Sequence, residues 1–224
     1  MIAELTLAAT AGGIVGHGLD RWVDRLARGG HARAPVLRAS RPAIRARALE
    51  LITAALCALA WWQYGLGPLL VSRTLFGCAL ILLFTVDLQR HQLPNVVTLP
   101  GIAMGIGFSF VTAPGWFASL VGTVAGGGIL WIMSEVSHRL RGESGVGMGD
   151  VKMLAMIGAF IGWKLMLAAL VVALLSGSMT SIALMATRRG AAPRLLPFGT
   201  FLAAGAAVAM AAEPMLIGWY WRLL

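Results

Sequence analysis

Charge is what this chain has least of. Only 12% of its 224 residues are Asp, Glu, Lys or Arg, and just nine of these are acidic. With 58% hydrophobic residues and a mean hydropathy of +0.82, the composition excludes an ordinary soluble domain and requires a polytopic membrane protein. Cysteine is almost missing as well. Cys57 and Cys78 each lie inside an apolar run and form no CxxC pair, so they indicate no zinc site and leave the redox compartment open. No Gly-Lys-Ser or Gly-Lys-Thr follows a glycine-rich run at Walker spacing, which removes a phosphate cradle from consideration. The absence of a convincing internal repeat argues against a transporter assembled from two related halves.

What charge there is lies mostly between apolar runs. The net charge of +9 comes from arginines in short loops. Topology control and contact with anionic lipid account for it without invoking nucleic acid. Residues 1–19 are apolar apart from Glu4, His17 and two threonines. They lack the basic n-region that precedes the core of a cleaved signal peptide and read as a retained first span. Residues 20–47 carry eight arginines, and Pro35 and Pro42 interrupt any continuous helix there. The positive-inside rule makes this loop cytoplasmic.

Further apolar runs at about 48–64, 67–87, 95–113, 116–137, 151–163, 164–187 and 197–219 predict seven more spans. The sixth span of the eight is short for a full crossing. Alternating sides from the first loop places 15 of the 18 basic residues in the cytoplasm and leaves Arg73, Lys164 and Arg222 outside. The expectation is an all-α polytopic transmembrane helical bundle of about eight spans with both termini outside. Residues 1–47 form its first span and basic loop, and 48–224 its transmembrane core. Small residues at GxxxG spacing, Gly101 to Gly105 and Gly122 to Gly126, predict close helix packing.

Within this apolar frame two carboxylates stand out. Asp87 closes the apolar run that begins at Ala79, and Asp150 follows the glycine-rich break at Gly145, Gly147 and Gly149. On the alternating topology both fall on the cytoplasmic margin. An ionisable residue at the edge of the hydrocarbon is costly to keep without a function. Two carboxylates sharing a site do not readily both ionise, so one stays protonated while the other acts as a base toward a water between them. That is the acid-base arrangement of aspartic proteolysis. Gly147, Gly149 and Lys152 are candidate substrate-binding residues. The bare glycines would let an extended substrate backbone approach the carboxylate. Lys152 either orients a carboxylate or, more simply, anchors its helix at the lipid headgroups.

Gly147-Met148-Gly149-Asp150-Val151-Lys152 resembles the GxGD signature of the type IV prepilin peptidases, which are membrane aspartic proteases. Asp87-Leu88-Gln89-Arg90-His91-Gln92-Leu93-Pro94-Asn95 is similar to that family's first aspartate and its Leu-Pro-Asp or Leu-Pro-Asn turn. Leu196-Pro197-Phe198-Gly199-Thr200 resembles its Pro-Phe-Gly-Pro stretch, with Thr200 in place of the second proline. The resemblance runs from about Glu50 to the C-terminus. It implies that Asp87 and Asp150 are a catalytic pair. The substrates it implies are prepilins or pseudopilins of type IV pilus or type II secretion systems, cleaved at the cytoplasmic face of the bacterial inner membrane.

Many members of that family carry two CxxC pairs in the first cytoplasmic loop, attributed to zinc, and also N-methylate the new amino terminus. Here that loop has no cysteine. No metal is expected, and methylation has no support from the loop. S-adenosylmethionine is a cofactor only if that activity is retained; proteolysis needs none. Besides substrate, the expected partner is membrane lipid, with no nucleic acid, and the sequence is silent on oligomeric state.

The remaining polar residues have plainer roles. Glu50 suits a helix N-terminus, His17 and His91 lack a second ligand at metal spacing, and Glu213 near the outer end of the last span is expected to reach water. Trp61, Trp62, Trp116, Trp163, Trp219 and Trp221 form an interfacial belt. Glu143 precedes GxGD at a spacing one residue longer than the family's acidic position and is given no role. The alternative from another class is an ion- or proton-coupled transporter with Asp87 and Asp150 as a relay, which carboxylates at the bilayer midplane would favour. A presenilin-like protease fits less well, since Val86 precedes Asp87 where that group has tyrosine, and Pro197-Phe198-Gly199 replaces its Pro-Ala-Leu.

Overall fold

In lipid every backbone polar group must be satisfied within the protein, which leaves a chain this apolar few alternatives to helix. The computed structural model describes residues 10, 12–22, 42–91, 93–141, 147–187, 197–213 and 215, and among them the regular structure is helical throughout. The helices are α1 over residues 12–22, α2 (Pro42–Tyr64), α3 (Pro68–Arg90), α4 (Asn95–Ser109), α5 (Trp116–Arg141), α6 (Met148–Thr187) and α7 (Phe198–Ala211). Three stretches, Pro68–Gln89, Trp116–Leu140 and Met148–Ala186, are long and apolar enough to cross a membrane. Proline sets several starts: Pro68 opens α3 at its first turn, and Pro94 and Pro197 precede α4 and α7.

α6 is two rods in one element. At Gly162 the backbone takes φ 74 and ψ 171, outside the helical region and in the half of the map that favours glycine. The chain reverses there: the first half starts beside Gly199 at the head of α7 and ends where Arg73 joins Phe160 to Glu213, whereas the second half runs against α7. Gly126 of α5 lies against Leu154 and Gly122 against Gly158, whereas in the second half Ala169 faces Gly205 and Gly177 faces Phe201 of α7. The break expected between 163 and 164 is therefore present, one residue earlier.

The short first half of α6 is the centre of the bundle. Met153, Leu154, Met156, Ile157 and Ala159 are fully buried, and Phe160 and Ile161 nearly so. A helix that is apolar all round and covered on every side need not match the bilayer's thickness, so 13 residues suffice where a lipid-facing span would need about 20. Glycines let its neighbours come close. Gly101 and Gly105 of α4 sit on Met156 and Ala159, Gly122 and Gly126 of α5 on Gly158 and Leu154, as the GxxxG spacing predicts. Ser119 donates to the Ala159 carbonyl at 2.7 Å, and Phe76 of α3 stacks on Phe160 at 4.8 Å between centroids. Outward, Phe117, Val124, Ile132, Val171, Leu175 and Ile182 are exposed apolar side chains of the kind lipid covers.

A side chain at Gly158 would fall on the carbonyl of Gly122. Gly158→Ala should therefore force α5 and α6 apart and cost about 1–3 kcal/mol, seen as a lowered thermal unfolding midpoint in detergent. An unchanged midpoint would show that the two helices do not meet there.

Candidate active site

Asp87 lies one turn before the end of α3, and the helix is closed by His91, whose left-handed backbone (φ 55, ψ 30) lets its N–H donate to the Asp87 carbonyl at 2.8 Å. The chain then turns through Leu93 and Pro94 into α4. Asp150 stands in the first turn of α6, on a segment that enters the helix from Gly147. The third contributor is the start of α7. A Cβ built on Gly199 would lie 2.8 Å from Oδ2 of Asp87 and 3.2 Å from Oδ1 of Asp150. The two oxygens are thus separated by no more than the sum of those lengths, a gap that one water bridges with two hydrogen bonds.

The electrostatic setting of the two carboxylates is unequal. Asp87 is buried, at 4% exposure, and accepts a hydrogen bond from the backbone N–H of Thr200. Its Oδ2 has no partner among the described residues. A buried carboxylate oxygen left unpaired is costly, and such groups gather where a protein does chemistry. Asp150 is half-buried, accepts from the backbone N–H of Gly147, and lies close enough to Asp87 to feel its charge. The pair can hold one proton and one water between them and shuttle protons to and from a third group.

Of the candidate substrate-binding residues, Gly147 is exposed, and a Cβ there would meet only Asp150 Oδ2, at 3.4 Å. Gly149 is closed instead: its added Cβ would meet Leu93 at 3.0 Å, so this glycine lets the turn after Asp87 pack against the start of α6. Among the described residues Lys152 reaches no carboxylate, yet it does not stand free. Its Nζ donates to Asn95 Oδ1 at 2.9 Å and ties the first turn of α6 to the first turn of α4.

Two expectations need correction. Glu50 is not at a helix start: it lies eight residues into α2 and pairs with His17 of α1 at 3.1 Å. Glu213 does not reach water: it is 6% exposed and accepts from Arg73 Nη2 at 2.6 Å and from the Tyr64 hydroxyl at 2.9 Å. Hydropathy counts residues along a span and carries no sign of which ones meet across helices. Glu143, Trp219 and Trp221 and most of the basic loop lie outside the described residues. Of the tryptophan belt, Trp62 and Trp116 are well exposed, at 76% and 56%.

The model of the type IV leader peptidase family matches residues 74–182, which include both aspartates. The chain is 31% identical over 179 residues to the Prepilin leader peptidase/N-methyltransferase of Bacillus subtilis, 79% of this chain and 69% of that protein. The chain belongs to the type IV leader peptidase family. Proteins of the same name from Burkholderia pseudomallei and Neisseria gonorrhoeae are 35% and 33% identical over 188 and 163 residues. The match spans 80% and 71% of this chain but only 57% and 54% of those relatives, a little over half their length. No solved structure matches. Membership makes the chain a multi-pass membrane protein and lends the relay alternative no support.

The Lys152 to Asn95 contact has a measurable consequence. In a double-mutant cycle of Lys152→Met and Asn95→Leu, unfolding midpoints should show a coupling of about 0.5–1.5 kcal/mol. Simple additivity would mean that the two side chains do not interact.

Proposed function

We propose that this chain is a membrane aspartic endopeptidase that removes the short basic leader of type IV prepilins or pseudopilins at the cytoplasmic face of the bacterial inner membrane. The observation that carries the proposal is the convergence of Asp87 and Asp150 on the space in front of Gly199, within a leader peptidase family member. The relatives are named for this cleavage, and the excess of basic residues in the first loop argues for the cytoplasmic side.

In this mechanism the ionised member of the pair takes a proton from the water as its oxygen attacks the scissile carbonyl. The protonated member hydrogen-bonds the carbonyl oxygen, which becomes the hydroxyl of a tetrahedral intermediate. The carboxyl that gained the proton then delivers it to the departing amine, the C–N bond breaks, and the other regains its proton as the carbonyl re-forms. The pair therefore titrates as a unit, and neither aspartate owns one role. Gly147 leaves room for an extended substrate backbone beside Asp150. The exposed start of α6 and the turn at Leu93 would border it.

No step of the cleavage passes through a cofactor. The relatives' names also include N-methyltransferase, and S-adenosylmethionine would enter only if this chain also methylates the amino terminus it releases. Incubating cleaved pilin with the purified protein and labelled S-adenosylmethionine tests that separately.

Purified protein in lipid or detergent, given a prepilin, should release the leader, and Asp87→Asn or Asp150→Asn should each lower the rate by about 10²–10⁴-fold. Retained cleavage by either variant overturns the assignment. The wild-type rate should be bell-shaped in pH. It falls in acid, where both carboxyls are protonated and no base remains, and in alkali, where both are ionised and no donor remains. A sigmoidal profile with a single limb would argue for one working carboxylate. Gly199→Ala would put a methyl group against both carboxylates. It should cost about 10²-fold in rate while leaving the thermal midpoint near that of wild type.

A further inference from the structure

At the end of the bundle opposite the two aspartates lies a buried polar cluster that the cleavage chemistry does not use. Arg73 of α3 is fully buried. Its Nη1 donates to the Phe160 carbonyl at 2.7 Å and its Nη2 to Glu213 Oε1 at 2.6 Å, while the Tyr64 hydroxyl donates to Glu213 Oε2 at 2.9 Å. The guanidinium also lies over the Tyr64 ring, 5.9 Å from its centroid. One side chain thus holds the far ends of three elements together: α3, the first half of α6 near its turn at Gly162, and the residues just past α7.

Those are the three elements whose near ends build the candidate site. α3 carries Asp87, the first half of α6 carries Asp150, and α7 opens with Gly199 and Thr200. The spacing makes the connection mechanical. Arg73 precedes Asp87 by fourteen residues, and Glu213 follows Gly199 by the same fourteen. At 3.6 residues per turn this is close to four turns, so on α3 both contacts fall on nearly the same face, about 21 Å apart, while Glu213 stands two residues past the end of α7 at Ala211. α3 and α7 are antiparallel neighbours pinned at both ends of one seam. An axial slip at the Arg73 end is carried along two stiff rods to the Thr200 hydrogen bond on Asp87 and to the gap between the carboxylates.

We propose that Arg73 and Glu213 are positioning residues for the aspartate pair: their buried ion pair, with the Arg73 bond to the Phe160 carbonyl, sets the axial register in which Asp87, Asp150 and Gly199 meet. The proposal rests on the assignment of Asp87 and Asp150 as the reacting pair. A merely stabilising role explains the cluster poorly. Well-packed apolar side chains of similar volume serve stability as well as a buried ion pair does, and Arg73 Nε is left without a partner among the described residues. What an ion pair adds is a defined geometry, and fixing register is its best-attested use.

Replacing one partner would strand a buried charge and could unfold the protein, so the test removes both. Arg73→Met with Glu213→Leu should give a folded protein whose kcat for prepilin cleavage falls about tenfold or more. KM should change little, and the pH profile of kcat should be displaced, because the spacing and hydrogen bonding of the pair have changed. Leu56→Ala, which removes the α2 side chain that lies against Gly77 midway along α3, lowers stability and should leave kcat per folded molecule and the pH profile as in wild type. Should the double variant fail to fold, Arg73→Lys decides, since it keeps the charge but cannot bind Glu213 and the Phe160 carbonyl in the same fork geometry. A lowered kcat with a displaced profile supports the proposal; wild-type kcat and profile in the folded variant overturn it. Asp87→Asn in the same assay separates the two claims. If it still cleaves, the aspartate assignment fails; if it is dead while the Arg73 variants match wild type, only the positioning role fails.

Discussion

The contact of backbone on backbone between α5 and the first half of α6, where Gly122 and Gly158 meet without side chains, is the constraint on which the rest of the bundle depends. In lipid no hydrophobic effect draws one helix to another, so close packing and hydrogen bonding must do the work. Gly101 and Gly105 repeat the device on α4. Enclosed in this way, a helix of fewer than four turns becomes the axis of the molecule, and whatever stands at its first turn is held rigidly. What stands there is Asp150.

Rigidity at one end makes sense of the polar groups at the other. A carboxylate with a buried oxygen that has no partner among the described residues, like that of Asp87, is tolerated only where the surroundings dictate its place. Three separate segments do so: the closed end of α3, the start of α6 tied to α4 through Lys152 and Asn95, and the start of α7 with its Thr200 N–H. Each is stiff because it is the end of a packed helix rather than the middle of a loop. The Arg73, Glu213 and Tyr64 cluster pins two of these helices again four turns away.

Much of the candidate site was legible from sequence because chemistry in an apolar chain is conspicuous. With nine acidic residues in the whole chain, an aspartate at the end of an apolar run and another after a glycine break need little searching. The start of α7 was marked by its Pro-Phe-Gly motif, but not the function of Gly199, whose missing side chain matters only because two carboxylates from elsewhere point at it. Glu213 was misjudged for a related reason. Its burial follows from an arginine 140 residues earlier in the chain. The shared spacing of fourteen residues was the one signal that could have linked them, and it has meaning only once α3 and α7 are known to be neighbours.

Composition and the periodic return of apolar runs determined the class of fold and the approximate helix limits, since backbone hydrogen bonding in lipid leaves a polytopic chain no other local choice. Motif and charge together determined which two carboxylates to watch. Only the tertiary structure decided that the short sixth segment is the buried axis, that the chain doubles back at Gly162, that Gly149 serves packing while Gly147 stays open, and that Arg73 is bound inside rather than exposed. The reason is physical. Local sequence sets the hydrogen bonding within a helix, but a side chain's partner is chosen by which helices lie beside it and in what register, and that follows from the packing of the bundle as a whole.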